Sequence, residues 1–278
     1  MWRSLLFVPT LNARLVEGAP RRDADAIVLD LEAAVPSNRK TEARNALAHI
    51  VPELTSANVS VAVRVNLLDA GGQADIATAL NTGIDAIVLP MASPESTEQA
   101  AAEAGNEVPL VPLIESPRGV INSLAIAEAA PSVAGLGFGV EDYAAGMGAP
   151  PTPALLLPAA FQVIQAARAA GCAPLVFADT IADFKNLERY ETAARAAQAM
   201  GASGGFAIHP GQVSVLNEVF TPSQAEIDTA KAIIEAAEQA RHQGHAVTQW
   251  NNRMVDAPVE AAARALLARD KRSPKTHP

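Results

Sequence analysis

Eight short apolar runs rich in β-branched residues recur along the chain. They lie at 5–9 (LLFVP), 26–32 (AIVLDLE), 59–66 (VSVAVRVN), 86–90 (AIVLP), 109–115 (PLVPLIE), 133–139 (VAGLGFG), 174–179 (PLVFAD) and 205–210 (GFAIHP). Most are continuous rather than alternating, as parallel strands covered by helices must be. Alanine-rich segments with helical spacing separate them, at 39–50, 72–82, 95–104, 120–129, 154–170 and 183–200. Ser93-Pro94-Glu95 reads as a helix start, and Gly83 and Gly201 as C-terminal caps. Eight such units predict a closed (β/α)8 TIM barrel. An open doubly wound sheet is the rival, but LFVPTLNAR follows the first strand where a glycine-rich phosphate loop would stand. The barrel is expected over residues 1–220, with 221–278 as a C-terminal helical extension and lid. The extension reads as a helix at 221–243, a polar connection GHAVTQWNNR, and a final helix from MVDAP.

A chain of 278 residues fits one such barrel, for which about 250 residues suffice. The formal net charge of −9 leaves no basic face for a nucleic acid. The single cysteine, Cys172, excludes an internal disulfide framework and a cysteine metal site, and reads as inert. No apolar run reaches the length needed to span a membrane. The expectation is a soluble cytoplasmic protein with a small-molecule substrate.

In barrels of this type the chemistry sits where the strands end. Those ends carry Asp30, Glu32, Arg64, Asn66, Glu115, Glu141, Asp142, Asp179 and His209. Carboxylates converging on one mouth repel one another unless a cation lies among them. Glu115 reads as a metal ligand or as a cap of the helix that follows; Asp142 as a ligand or an N-cap. Two carboxylates from neighbouring strand ends, with water or substrate oxygens, suit Mg²⁺. Arg64 reads as the partner of Glu32 or Glu115, as the group that recognises a substrate carboxylate or enolate, or as both, since it has five donors. Asp30 and Glu32 read as supports for metal-bound water or for Arg64, or as direct participants. His209 before Pro210 reads as structural. Asp179 is open between capping and lining the mouth.

RSLLFVPT, DAIVLDLEAAV, AVRVN, VLPM, LIESPRG, FGVEDYA, IHPGQ, LNEVF and MVDAP follow one another in this order. Together they resemble the citrate lyase β-subunit-like family of the HpcH/HpaI aldolase superfamily, which includes malyl-CoA and citramalyl-CoA lyases. The resemblance covers nearly the whole chain. It implies a Mg²⁺-dependent lyase that breaks or makes a carbon–carbon bond between an acyl-CoA and a 2-oxo acid. It implies that Glu115 and Asp142 hold the metal, that Glu115 and Arg64 meet the substrate, and that Arg64 steadies the enolate oxygen. Asp256, in MVDAP, would then sit on a lid from an adjacent subunit and exchange a proton, in a homo-oligomer expected to be a trimer; its alternative by itself is an N-cap before Pro258. Glu32 joins Arg64 and Asp256 as a catalytic candidate.

Three positions depart from the family pattern. Ala33 replaces the second acid of DLED, Met91 the lysine usual after LP, and Gly204-Gly205-Phe206 a segment that often carries lysine. Arg14, Arg21, Arg22, Arg39, Lys40 and Arg44 could supply contacts to CoA phosphates or form a solvated face. Two alternatives stay open: a class II aldolase acting on free 2-oxo acids without CoA, and a non-catalytic barrel subunit.

Overall fold

The computed structural model describes residues 2–270. They divide into two compact units, Trp2–Val219 and a C-terminal unit that begins at Phe220. The first contains eight parallel strands: β1 (Ser4–Pro9), β2 (Ala26–Asp30), β3 (Ser60–Arg64), β4 (Ala86–Leu89), β5 (Leu110–Ile114), β6 (Gly135–Phe138), β7 (Ala173–Leu175) and β8 (Gly205–Ala207). Each pairs with its neighbour in sequence, and β8 returns to pair with β1, Leu5 opposite Phe206. The Leu175–Gly204 bridge joins β7 to the start of β8 and closes the (β/α)8 barrel. Glycine is required at 204, since a Cβ there would lie 2.5 Å from the Trp2 carbonyl oxygen.

Side chains alternate across a strand with a period of two. One row from each of several strands meets inside the barrel: Leu5, Ala26 and Val28, Ala62, Ala86 and Val88, Val111 and Leu113, Leu175 and Phe206. The same parity carries upward to Phe7 on β1, Asp30 on β2, Arg64 on β3 and Glu115 just beyond β5. A continuous apolar row thus delivers polar groups to the C-terminal end of the barrel. The strands are shorter than the apolar runs, so Glu32, Asn66, Glu115, Asp179 and His209 stand one or more residues past the ladder.

Several helices differ from the sequence reading. The helix expected at 39–50 runs Lys40–Ser56, through Pro52. Proline deletes the bond to the carbonyl four residues back, at Ala48, and Ala48 is exposed, so water can take that role. The helix expected at 120–129 is two short ones, Pro117–Ile121 and Ser123–Glu128. Helices Ala13–Gly18, Val140–Gly146 and Pro210–Phe220 were not anticipated. Ser93 forms a capping box with Ser96, and Gly201 ends Leu187–Met200 in the left-handed region.

In the C-terminal unit, Gln224–His242 opens on a Ser223–Glu226 capping box. The polar connection is an antiparallel hairpin, Thr248–Trp250 with Arg253–Val255. Its turn residues Asn251 and Asn252 both have positive φ, which suits the right-handed twist of a two-residue hairpin loop. The final helix is Ala257–Asp270. Among the described residues no helix is long and apolar enough to cross a membrane.

Candidate active site

Asp30 organises one side of the barrel mouth. Its Oδ1 accepts from the Glu32 N–H and from Arg64 Nε, at 2.9 and 2.8 Å; its Oδ2 accepts from the Ala34 N–H and from Arg64 Nη2, at 2.9 and 2.8 Å. The sequence left Arg64 to pair with Glu32 or Glu115, and left Asp30 open as a further partner. The bidentate partner is Asp30, which faces it across the β2–β3 register, while Glu32 Oε2 stands 3.3 Å from Nη1. The Arg64 Cζ lies 4.5 Å from the Phe7 ring centroid, and Phe7 stacks on Phe206 at 5.2 Å. Two hydrogen bonds and an aromatic face therefore fix the guanidinium plane. Burial pulls the Arg64 pKa down, but the hydrogen bond and charge of Asp30, with Glu32 and Glu115, outweigh it and hold the group above its ordinary value.

Glu115 is buried at the end of β5. It does not cap the next helix, because Ser116 does so by accepting from the Gly119 N–H at 3.0 Å. Glu115 Oε2 accepts instead from the Met91 N–H at 2.7 Å. Gly139 makes room for this carboxylate: a Cβ there would lie 2.5 Å from Glu115 Cγ and Oε1. Burial pushes the Glu115 pKa up to about 7; the Met91 N–H and Arg64 pull it down, while Asp142 and Glu32 push it further up. Asp142 is thus close enough for its charge to act on Glu115. It lies in the first turn of Val140–Gly146, is exposed, and is not the N-cap, which is Gly139.

The remaining polar groups serve their own loops. Asn66 bonds Asp75 at 2.6 Å, and Asp75 also holds Arg44. Buried Asp179 pairs with Arg189. Glu141 accepts from the Thr180 hydroxyl. His209 Nδ1 accepts from the Gly211 N–H at 3.1 Å, and its ring stacks on Phe184. Burial pushes the Cys172 thiol up to about 11. Of the basic residues, Arg39 pairs with Glu42, Lys40 donates to the Leu31 and Glu32 carbonyls, and Arg44 is held by Asp75. Arg14, Arg21 and Arg22 form no ion pair among the described residues. Asp256, in the C-terminal unit, accepts from the Val259 N–H at 3.2 Å as the cap of the last helix. The sequence reading missed Phe7 and the Met91 N–H. Phe7 could have been found by carrying the inward parity of β1 one step beyond Leu5.

The raised Glu115 pKa sets a pH dependence of folding. In the metal-free protein the folded state holds this proton where the unfolded chain, near 4.5, has lost it. Stability contributed here is therefore present below pH about 4.5 and falls as pH rises to about 7, by on the order of 3 kcal/mol in total. Glu115→Gln should abolish that decline. Chemical denaturation with chelator at pH 5 and pH 8 checks it; parallel pH profiles for the two proteins would refute it.

Residues 3–210 match the family described as HpcH/HpaI aldolase/citrate lyase. The chain belongs to this family. It is 32% identical over 283 residues to the citrate lyase subunit beta of Haemophilus influenzae, covering 97% of each chain. It is 33% identical over 272 residues to a (3S)-malyl-CoA thioesterase of Cereibacter sphaeroides, covering 96% of this chain and 94% of the relative. Among solved structures, CitE of Mycobacterium tuberculosis, in complex with magnesium, acetoacetate and coenzyme A, superimposes with a TM-score of 0.73 at 25% identity, over 96% of this chain and 97% of that one.

Proposed function

We propose that this member of the HpcH/HpaI family is a Mg²⁺-dependent carbon–carbon lyase. It would cleave or form a 3-hydroxyacyl-CoA, such as citryl-, malyl- or citramalyl-CoA, from an acyl-CoA and a 2-oxo acid. The observation that carries this reading is a buried Glu115, within reach of the charge of Asp142, near a guanidinium already immobilised by Asp30.

The donor set fits a divalent ion. Among the described residues no group of three or more acidic, histidine or cysteine ligands gathers, which disfavours a closed all-protein cage. Mg²⁺ asks for one or two carboxylates and completes its shell with water and substrate oxygens. Glu115 and Asp142 would hold it, and when bound it supplies a Lewis acid for the carboxylate and keto oxygens of the oxo acid. The chain's own groups do the rest. In the cleavage direction Glu32, half-buried at the mouth, takes the proton from the substrate hydroxyl. As the carbon–carbon bond breaks, the electron pair passes into the thioester as an enolate, and free N–H groups of Arg64 receive its oxygen. Asp256 of a neighbouring copy in a homotrimer would return a proton to the enolate carbon, leaving acyl-CoA and the oxo acid. Formation is the reverse.

A second reading, an aldolase for free 2-oxo acids, is favoured by the engagement of Arg39, Lys40 and Arg44 within the protein, which leaves only Arg14, Arg21 and Arg22 of the six candidates for CoA phosphates. Mg²⁺-dependent release of 2-oxo acid from malyl-, citramalyl- or citryl-CoA, followed as the phenylhydrazone, is the expected result. Release from free 4-hydroxy-2-oxo acids alone would select the second reading. Release from neither would overturn both.

A further inference from the structure

Six residues other than glycine have positive φ among those described: Asp23, Asn58, Asn106, Asn251, Asn252 and Met91. Asp and Asn tolerate the left-handed region through local hydrogen bonds of their short side chains; a long apolar side chain does not gain from it. Met91, at φ 48°, is therefore the one strained member of the set. The strain has a visible use. It turns the chain out of β4 so that the Met91 N–H meets Glu115 Oε2, while the Ala92 N–H still reaches the Leu113 carbonyl at 3.0 Å. Glycine would make the same turn without cost, so the turn alone does not explain methionine. The residue remains 46% exposed, and its N–H is held by the carboxylate that the proposed reaction uses.

The loop after the neighbouring strand β3 offers the same chemistry. Leu67 is also exposed, and its loop is rigid: Asn66 is tied to Asp75, and Gly72 packs so closely that a Cβ would lie 2.2 Å from the Asn66 carbonyl oxygen. Beyond β3 and β4, then, two exposed apolar residues stand on fixed backbone. The charges point the same way. Asp30, Glu32 and Glu115 act on Arg64, Asp142 acts on Glu115, and Lys40 is turned to the main-chain carbonyls of Leu31 and Glu32. Even with a divalent cation bound, four carboxylates leave the mouth no positive surplus for a second substrate carboxylate.

We infer that Met91 is a specificity-determining residue whose side chain packs on the C3 substituent of the 2-oxo acid, and that the enzyme takes monocarboxylic 2-oxo acids with a small apolar substituent in preference to dicarboxylic ones. This rests on the Mg²⁺–oxo acid reading above and deepens it. Pyruvate, 2-oxobutyrate and oxaloacetate share the carboxylate and keto oxygens and differ at C3, which is the part Met91 would meet.

The test is titration of the full-length protein with each acid, with Mg²⁺ and with chelator, read by thermal shift and calorimetry. The wild type should bind 2-oxobutyrate and pyruvate at least about tenfold more tightly than oxaloacetate. Met91→Lys should reverse the order. Met91→Gly relieves the backbone strain, so it should melt higher yet lose affinity for 2-oxobutyrate, a split that a structural role alone would not produce. Equal or tighter binding of oxaloacetate by the wild type would overturn the inference while sparing the site. So would an unchanged affinity ratio in both variants. If no 2-oxo acid binds in a Mg²⁺-dependent way, the reading of the site falls and the inference falls with it.

Discussion

Glu115→Ala and Asp142→Ala should each lose Mg²⁺ binding by more than about 100-fold while the barrel stays folded. Replacing groups that merely support a metal ligand costs 10–100-fold in affinity as a rough rule, and removing one of two carboxylate ligands should exceed that. The two variants should differ in stability. Asp142 is exposed, so its loss should change folding by less than about 0.5 kcal/mol. Glu115 is buried, and its loss leaves the Met91 N–H without its acceptor, at about 1–3 kcal/mol. Opposing this, the buried carboxylate carries a desolvation penalty, visible in its raised pKa, that alanine removes. Calorimetric titration with Mg²⁺, with circular dichroism as the control for folding, decides the matter. Undiminished affinity in both variants would remove the metal from this position.

The barrel was legible because buried parallel strands leave continuous apolar runs, and the eighth run is followed by no ninth. The site was legible in part for a related reason. Strand parity that buries Ala26 and Val28 also turns Asp30 inward; the parity of Val111 and Leu113 does the same for Glu115. What sequence could not settle was which inward groups pair. Asp30 and Arg64 lie 34 residues apart and meet only through the β2–β3 register. That register selects Asp30 from the three candidate partners of Arg64 and leaves Glu32 and Glu115 freer for chemistry. Asn66 and Asp179 looked equivalent to the site residues in sequence. They are consumed by Asp75 and by Arg189, which lie on the helices that follow their strands. Met91 gave no signal of its left-handed backbone, because methionine is not a residue from which that conformation is expected.

Arg64→Lys should lower kcat/KM by about 10²–10³, although the charge is kept. The guanidinium meets Asp30 through two donors at once, lies over the Phe7 ring, and still has N–H groups to direct at the enolate oxygen. An ammonium reaches one point. If it stays with Asp30 it cannot also reach the substrate; if it moves to the substrate, Asp30 keeps only the Glu32 and Ala34 N–H groups and is left buried without its counter-charge. Either way the donor that meets the developing negative charge is lost or loosened, and that loss acts on the transition state more than on the bound substrate. The fall should therefore appear mainly in kcat. Mg²⁺ affinity should change little, since Glu115 and Asp142 remain, and this separates the variant from the two metal-site variants. Assays must be run at a temperature where the variant is shown to be folded, because Asp30 is buried and its pairing also supports β2 and β3. A kcat/KM near that of the wild type would confine Arg64 to holding Asp30, and the enolate oxygen would then have to be met by another donor at the mouth.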